Sequence, residues 1–282
     1  MQIVLQAFTF FQIALCLTIF HELCGITMSD KTRIIAVAGK GGVGKTSLSA
    51  AFVRLLADEY PEKRILAIDA DPAVGLATAL GVKVQETLDD IRMDIIHSVE
   101  NGAPKEAMEL LGEARFRIFD TMVELPRFSF LAIGRPESAG CYCKVNAYLK
   151  EVINLLSQDF DFVVIDGEAG IEQINRRVME KVSHLVLVSD PSRKGTQVAD
   201  TIRKVADELV MYEKCGAVIN RVTDESLIPY IQMEGTEILS YISDDPSQAE
   251  NDIRGQTVFT LAESSPLLCG ARETLKKLEI LP

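Results

Sequence analysis

Positive charge is scarce in this chain: 29 Lys and Arg stand against 41 Asp and Glu, leaving a formal net charge of −12. That balance argues against a broad surface for nucleic acid or anionic lipid, and no nucleic-acid partner is expected, although a single phosphate-binding loop can still be locally positive. Cysteine is scarce too. Six in 282 residues, two of them close together at Cys141 and Cys143, make no disulfide framework. The chain therefore reads as a protein of a reducing, cytoplasmic compartment, where a close pair suggests metal or redox chemistry. No Lys or Arg precedes Lys31, so the apolar stretch Ile3–Phe20 lacks the positive n-region of a signal peptide, and it shows no small-residue cleavage site. Three readings of residues 1–27 stay open: a mis-assigned or dispensable extension upstream of Met28, a membrane helix with Lys31 and Arg33 on its cytoplasmic side, or a segment packed on the domain. What the chain has in quantity is apolar side chain. At 48% hydrophobic residues it has enough to bury one large core, which argues against disorder.

The most informative stretch is Gly39-Lys40-Gly41-Gly42-Val43-Gly44-Lys45-Thr46, which fits a phosphate loop: a glycine, four residues, then Gly-Lys-Thr. Ile34–Ala38 before it reads as a buried strand, and Leu48, Phe52, Leu55 and Leu56 after it recur at helical spacing. The loop thus sits between strand and helix, where its glycines let backbone N–H groups point at a polyphosphate such as that of ATP, at the positive end of the helix dipole. Lys45 supplies a point charge to the terminal phosphates and Thr46 a hydroxyl to Mg²⁺, with Ser47 completing the nucleotide-binding run.

From Lys31 onward apolar runs alternate with helical patterns. This predicts an α/β fold, a single doubly wound and mostly parallel sheet with helices on both faces, formed by residues 28–282. Arg64–Asp69 is a second buried strand that delivers Asp69-Ala70-Asp71-Pro72 to its carboxyl end, where such sheets place ligands. Two aspartates there suit the orientation of a Mg²⁺-bound water and an attacking water, while a proline-started turn accounts for the same residues without chemistry. Asp161–Asp166 is a further strand whose last residue is an acid in the Walker-B arrangement, able to hold the Mg²⁺ shell, and Gly167–Glu172 follows as a glycine-bearing loop. Strands Leu185–Val188 and Ala217–Ile219 lead to Asp190-Pro191 and Asn220-Arg221. Ile238–Ile242 and a last helix from Pro266 to near Ile280, with Leu267, Ala271, Leu275 and Leu278 as its docking stripe, complete the fold. Gly81–Arg127 holds helical stretches of mixed charge and no evident chemistry. His97, His184, Cys215 and Cys269 read as core or surface residues.

The residue after the first glycine of the loop is a second lysine, Lys40. A solvated loop lysine accounts for it. At this position, however, the chain resembles the deviant phosphate-loop ATPases, the group that includes the Min and Par partition ATPases, the arsenite-pump ATPase and the nitrogenase iron protein. In that group the extra lysine is associated with a homodimer sandwiching two nucleotides, the lysine of one subunit reaching phosphate held by the other; the resemblance implies that role for Lys40. It implies further that Asp69–Pro72 is a first switch, with Asp71 positioning or activating the hydrolytic water and Asp69 supporting Mg²⁺ beside Thr46 and Asp166. Gly167–Glu172 would be the second switch, and Asn220 with Arg221 would meet the adenine.

A strand at Phe128–Ile133 and a helix at Asn146–Leu156 flank a Gly/Pro-rich loop, residues 134–144, that carries Cys141 and Cys143. A helix N-terminus and nearby Lys144 both favour thiolate, the form that binds soft or borderline metals. Two sulfurs do not complete a four-coordinate site, but the same pair across a two-fold axis makes four thiolates from two chains. Two small loop cysteines, or a transient redox pair, are the alternatives. The run Gly134-Arg135-Pro136-Glu137 leading to Cys141-Tyr142-Cys143, between the two switches, resembles the CO dehydrogenase maturation ATPases of the CooC type. That resemblance implies an ATP-hydrolysing homodimer that holds Ni²⁺ or Zn²⁺ on these cysteines at its interface and assists nickel insertion into a client such as CO dehydrogenase or acetyl-CoA synthase. The chain departs from the pattern at Gln173, where a histidine often stands, and at Val74-Gly75, where an asparagine is expected. Two other classes stay open. A Min-type localisation ATPase usually carries a membrane-targeting helix, but the last helix here is short, with Lys276 and Lys277 alone, and residues 3–20 have no basic face. An iron–sulfur electron donor like the nitrogenase iron protein has cluster cysteines far apart in sequence.

Overall fold

Strands that are apolar from end to end need cover on both faces, and here they have it. The computed structural model describes residues 32–282 except 72, 102–103, 135–142, 170–177 and 179–180. Along the chain run β1 (Arg33–Gly39), α1 (Lys45–Glu59), β2 (Ile65–Asp69), α2 (Gly75–Leu80), α3 (Leu88–Glu100), α4 (Pro104–Thr121), β3 (Val123–Glu124) and β4 (Ser129–Ala132). They are followed by α5 (Cys143–Ser157), β5 (Phe162–Ala169), β6 (His184–Ser189), α6 (Arg193–Leu209), β7 (Lys214–Val222), β8 (Ile238–Ser243), α7 (Pro246–Ile253) and α8 (Pro266–Lys277). The strands form one sheet in the order β3-β4-β2-β5-β1-β6-β7-β8. All neighbours pair in parallel except β3 with β4, which are antiparallel. β1 lies in the interior of the sheet, with β5 on one side and β6 on the other, so its carboxyl end opens at the switch point where sheets of this kind bind ligands.

Side chains alternate across the sheet and feed two cores. Ile35 and Val37 of β1 face a core shared with Leu48, Phe52, Leu55 and Leu56 of α1 and Leu268, Ala271 and Leu275 of α8. Ala36 and Ala38 face a second core shared with Ile91 and Ile95 of α3, Ile118 of α4 and Leu149, Val152 and Ile153 of α5. Each large apolar side chain removed from water on either face contributes about 1.5–3 kcal/mol, so the helices are held by packing more than by their own propensity. The stripe Leu267, Ala271, Leu275 and Leu278 of the last helix is spent on this packing, each residue at most 3% exposed. Among the described residues no helix is long and apolar enough to cross a membrane.

Several boundaries differ from the sequence expectation. β2 opens at Ile65 rather than Arg64, whose guanidinium instead lies over the Phe160 ring. β5 runs on past Asp166 to Ala169, because a shift of register between Val37 and Gly39 lets Ala169 pair with Gly39. The residues expected to leave as a loop at Gly167 therefore begin as strand. β7 spans Lys214–Val222, which places Asn220 and Arg221 within it rather than beyond its end. The short β3, which pairs with β4, has no periodicity long enough to show in the sequence. Residues 1–27, as well as Gly170–Gln173, lie outside the described residues.

Candidate functional site

The loop between β1 and α1 closes on itself through conformations that only glycine adopts cheaply. Gly44, with φ of 94°, precedes α1, and no side chain caps that helix, so its first-turn N–H groups are left for a ligand. A methyl group on Gly44 would come within 2.3 Å of Asn220 Nδ2. The Asn220 amide donates to Val43 O at 2.8 Å, and its Oδ1 accepts from the Arg221 N–H at 2.9 Å. The structure thus finds Asn220 bracing the loop from β7. One amide hydrogen and one lone pair are left over, so a contact to a base is compatible with the brace. Lys45 is buried and donates from Nζ to Lys40 O at 3.2 Å. Lys40 itself is exposed.

Three carboxylates gather beside the loop. Asp69 and Asp166 are register partners on β2 and β5, both fully buried. Asp69 accepts from the N–H groups of Asp71 at 3.1 Å, Leu76 at 2.8 Å and Ala77 at 3.4 Å, so it anchors the turn carrying Asp71 and the start of α2. Burial, and then the neighbouring Asp166, push its pKa up to about 7 against the pull of those N–H groups. Asp71 is half-buried and turns its Oδ1 to the Ala73 N–H at 2.9 Å. Asp166 accepts from Ser49 Oγ at 3.1 Å, while its Oδ2 is buried without a partner. Burial raises the Asp166 pKa to about 6, with Thr46, Ser49 and Lys45 pulling it down and Asp71 pushing it up.

An orphaned carboxylate oxygen among like charges, next to a threonine hydroxyl, fits a hard divalent cation such as Mg²⁺. Among the described residues no group of three or more His, Cys, Asp or Glu is placed to hold a metal by itself. Mg²⁺ does not require such a group, since it takes one or two protein ligands and fills its shell with water and substrate phosphate.

At the open rim, Asp190 follows β6. Burial would raise its pKa, but the Ser192 hydroxyl and N–H, with the charges of Lys40 and Arg221, hold it below the usual carboxylate range. Lys40, Asp190 and Arg221 thus share the rim at the carboxyl ends of β1, β6 and β7. Ser49 and Asp190 are site residues the sequence reading did not single out. Ser49 is signalled by its place one helical turn after Thr46; Asp190 carries no signal beyond its strand-end position. Cys141 lies outside the described residues, as does the side chain of Cys143, whose backbone is the first residue of α5. His184 is buried and Cys269 exposed, with Cys215 between, all away from the loop.

The sequence model of the CobQ/CobB/MinD/ParA nucleotide-binding domain matches residues 34–258. An uncharacterized ATP-binding protein of Methanocaldococcus jannaschii is 35% identical over 249 residues, covering 87% of this chain and 98% of that protein. The carbon monoxide dehydrogenase accessory protein CooC of Rhodospirillum rubrum is 29% identical over 246 residues, covering 81% of this chain and 90% of its own. Among solved structures, the septum site-determining protein MinD of Pyrococcus horikoshii, complexed with Mg-ADP, shares the fold with a TM-score of 0.61 at 21% identity, over 88% of this chain and 96% of that one.

Proposed function

Because the chain belongs to the CobQ/CobB/MinD/ParA nucleotide-binding family of P-loop ATPases, we propose that it works as a homodimeric ATPase that loads a metal ion during maturation of a CO dehydrogenase-type enzyme. The observation that carries this reading is the sequence pair Cys141 and Cys143, the second of them the first residue of α5, in a chain 29% identical to a CO dehydrogenase accessory protein along most of its length. Residues 28–282 form the ATPase domain in this reading, and the protein acts in the cytoplasm.

In the nucleotide site, Gly39–Gly44 and Ser47 hold the phosphates by backbone N–H groups, and Lys45 leaves Lys40 O to meet the terminal phosphate. Thr46 and Asp166, with Asp69 organising the turn beside them, hold Mg²⁺, which when bound offsets charge on the phosphates. Asp71 orients the water whose oxygen bonds to the γ-phosphorus as the bond to the ADP oxygen breaks. Asn220 and Arg221 meet the base. Lys40 reaches the nucleotide of the partner subunit, and closing the dimer brings two Cys-x-Cys pairs together around the Ni²⁺ or Zn²⁺ that is the cargo. By linkage, ATP and metal then tighten each other's binding.

Metal content and oligomeric state of the full chain, measured anaerobically with and without ATP and Mg²⁺, test the reading against Cys141→Ser/Cys143→Ser. One nickel or zinc per dimer, lost in the variant, is expected. ATP-dependent dimers without metal, unaffected by the variant, would refute metal loading and favour a localisation ATPase; a brown iron–sulfur chromophore would point to electron transfer.

A further inference from the structure

The amide of Gln248, on the first turn of α7, touches the phosphate loop's own helix. Its Nε2 donates to Ser47 Oγ at 3.1 Å and to Asp252 Oδ2 at 2.7 Å. The second contact fixes the chemistry of the first. A carboxylate only accepts, so the nitrogen of the Gln248 amide, not its oxygen, faces both partners. Ser47 Oγ is therefore the acceptor, and its own O–H proton stays free to donate elsewhere. Ser47 is the third residue of α1, in the turn whose N–H groups have no side-chain cap. The Gln248 backbone is held in turn, because its N–H donates to the Asp245 carboxylate at 3.2 Å.

We infer that Gln248, aligned by Asp252, is a positioning residue for the nucleotide: it fixes Ser47 as an acceptor on one side, so that the serine hydroxyl donates to the phosphate chain on the other. The inference rests on the phosphate-loop reading and extends it to α7, which lies outside the loop. A hydroxyl that already accepts from Gln248 has its rotor biased, with the proton turned away from that amide, so it meets an anion with less reorganisation.

The hydrogen-bond polarity makes the test signed. MgADP binding to the full chain is titrated by calorimetry at pH 8 for wild type, Gln248→Ala, Gln248→Glu and each of these combined with Ser47→Ala. Losing the alignment in Gln248→Ala weakens binding about 3- to 10-fold, the span of one hydrogen bond. Gln248→Glu, whose carboxylate takes the serine proton for itself, weakens it further, by about 10-fold or more. Once Ser47 is alanine, the substitutions at 248 change affinity less than about 2-fold, as the coupling runs through the hydroxyl. Equal affinity of wild type and Gln248→Glu, or an effect of 248 that persists without the Ser47 hydroxyl, would overturn the inference alone. A wild-type chain that binds no MgADP would overturn it together with the loop reading.

Discussion

Asp245 sits where two helices begin. Its Oδ1 accepts from the N–H groups of Ser247 at 3.0 Å and Gln248 at 3.2 Å, capping α7; its Oδ2 accepts from the Leu267 N–H at 3.2 Å and from the Ser265 hydroxyl, capping α8. Burial would raise its pKa, but these donors, led by the Ser247 and Ser265 hydroxyls, keep it below 3.8. Asp245→Ala removes two caps at about 1 kcal/mol each and leaves the buried Ser265 hydroxyl without a partner, about 1–3 kcal/mol more, for a total of roughly 3–5 kcal/mol. In a domain of this size, at about 2–4 °C per kcal/mol, that lowers the unfolding midpoint by roughly 6–20 °C, measured by calorimetry or circular dichroism. Ser265→Ala alone costs about 1 kcal/mol, and the double variant is less than additive because both changes remove one contact. The sign with pH follows from the lowered pKa: the contribution of Asp245 is present at neutral pH and is lost as pH falls through the folded value, below 3.8. A change under about 0.5 kcal/mol in Asp245→Ala, the level of an ordinary surface substitution, would refute the double-cap assignment.

Gly44→Ala, with a Cβ 2.3 Å from the Asn220 amide and φ of 94°, should lose nucleotide binding and about 2–4 kcal/mol of stability; an intact MgADP titration would contradict this. Asp166→Asn removes a buried charge that lacks a full set of partners, so the nucleotide-free protein should unfold no earlier than wild type while Mg²⁺-dependent ATP turnover is lost; phosphate release and a thermal melt, taken together, check both halves. His184 is held neutral mainly by burial, with the nearby Lys214 and Arg33 charges adding to the effect and Glu213 and the Leu278 backbone opposing it, so its pKa falls to about 4. Because the unfolded chain takes up that proton first, stability should drop as pH falls from the ordinary value of 6.5 toward 4, by about 1–2 kcal/mol after solvent screening. Glu279, whose own carboxylate feels His184, faces the same site. His184→Gln should flatten that part of a urea-midpoint profile, and an unchanged slope would rule the histidine out.

The sheet was legible because its strands are continuous apolar runs, which only a doubly covered parallel sheet accommodates. The phosphate loop was legible because glycines, Lys45 and Thr46 stand in fixed order between a period-free run and a helical one. Local signals end there. Asp245-Pro246-Ser247 reads as a helix start to any eye looking for caps, yet its grip on Ser265 and Leu267 depends on α8 arriving from elsewhere in the chain. The link from Gln248 to Ser47 joins residues far apart in sequence and has no pattern at all. Asn220 was expected as a polar strand end aimed at a base; its contact with Val43 became visible only once β7 and β1 were placed on either side of β6. The extension of β5 through Ala169 followed from pairing with Gly39, a property of the neighbour and not of the segment's own composition.

The fit between Gly44 and Asn220 also ties together the histories of two stretches of chain. The loop cannot accept a side chain at one point while the strand keeps its amide at the other, so neither position drifts alone. A smaller residue at 220 would relieve the clash but not the strain of a side chain at φ of 94°, so a selection that begins from a crippled Gly44 variant should recover function by restoring glycine, and an exchange of the loop with that of a relative should succeed only when β7 travels with it.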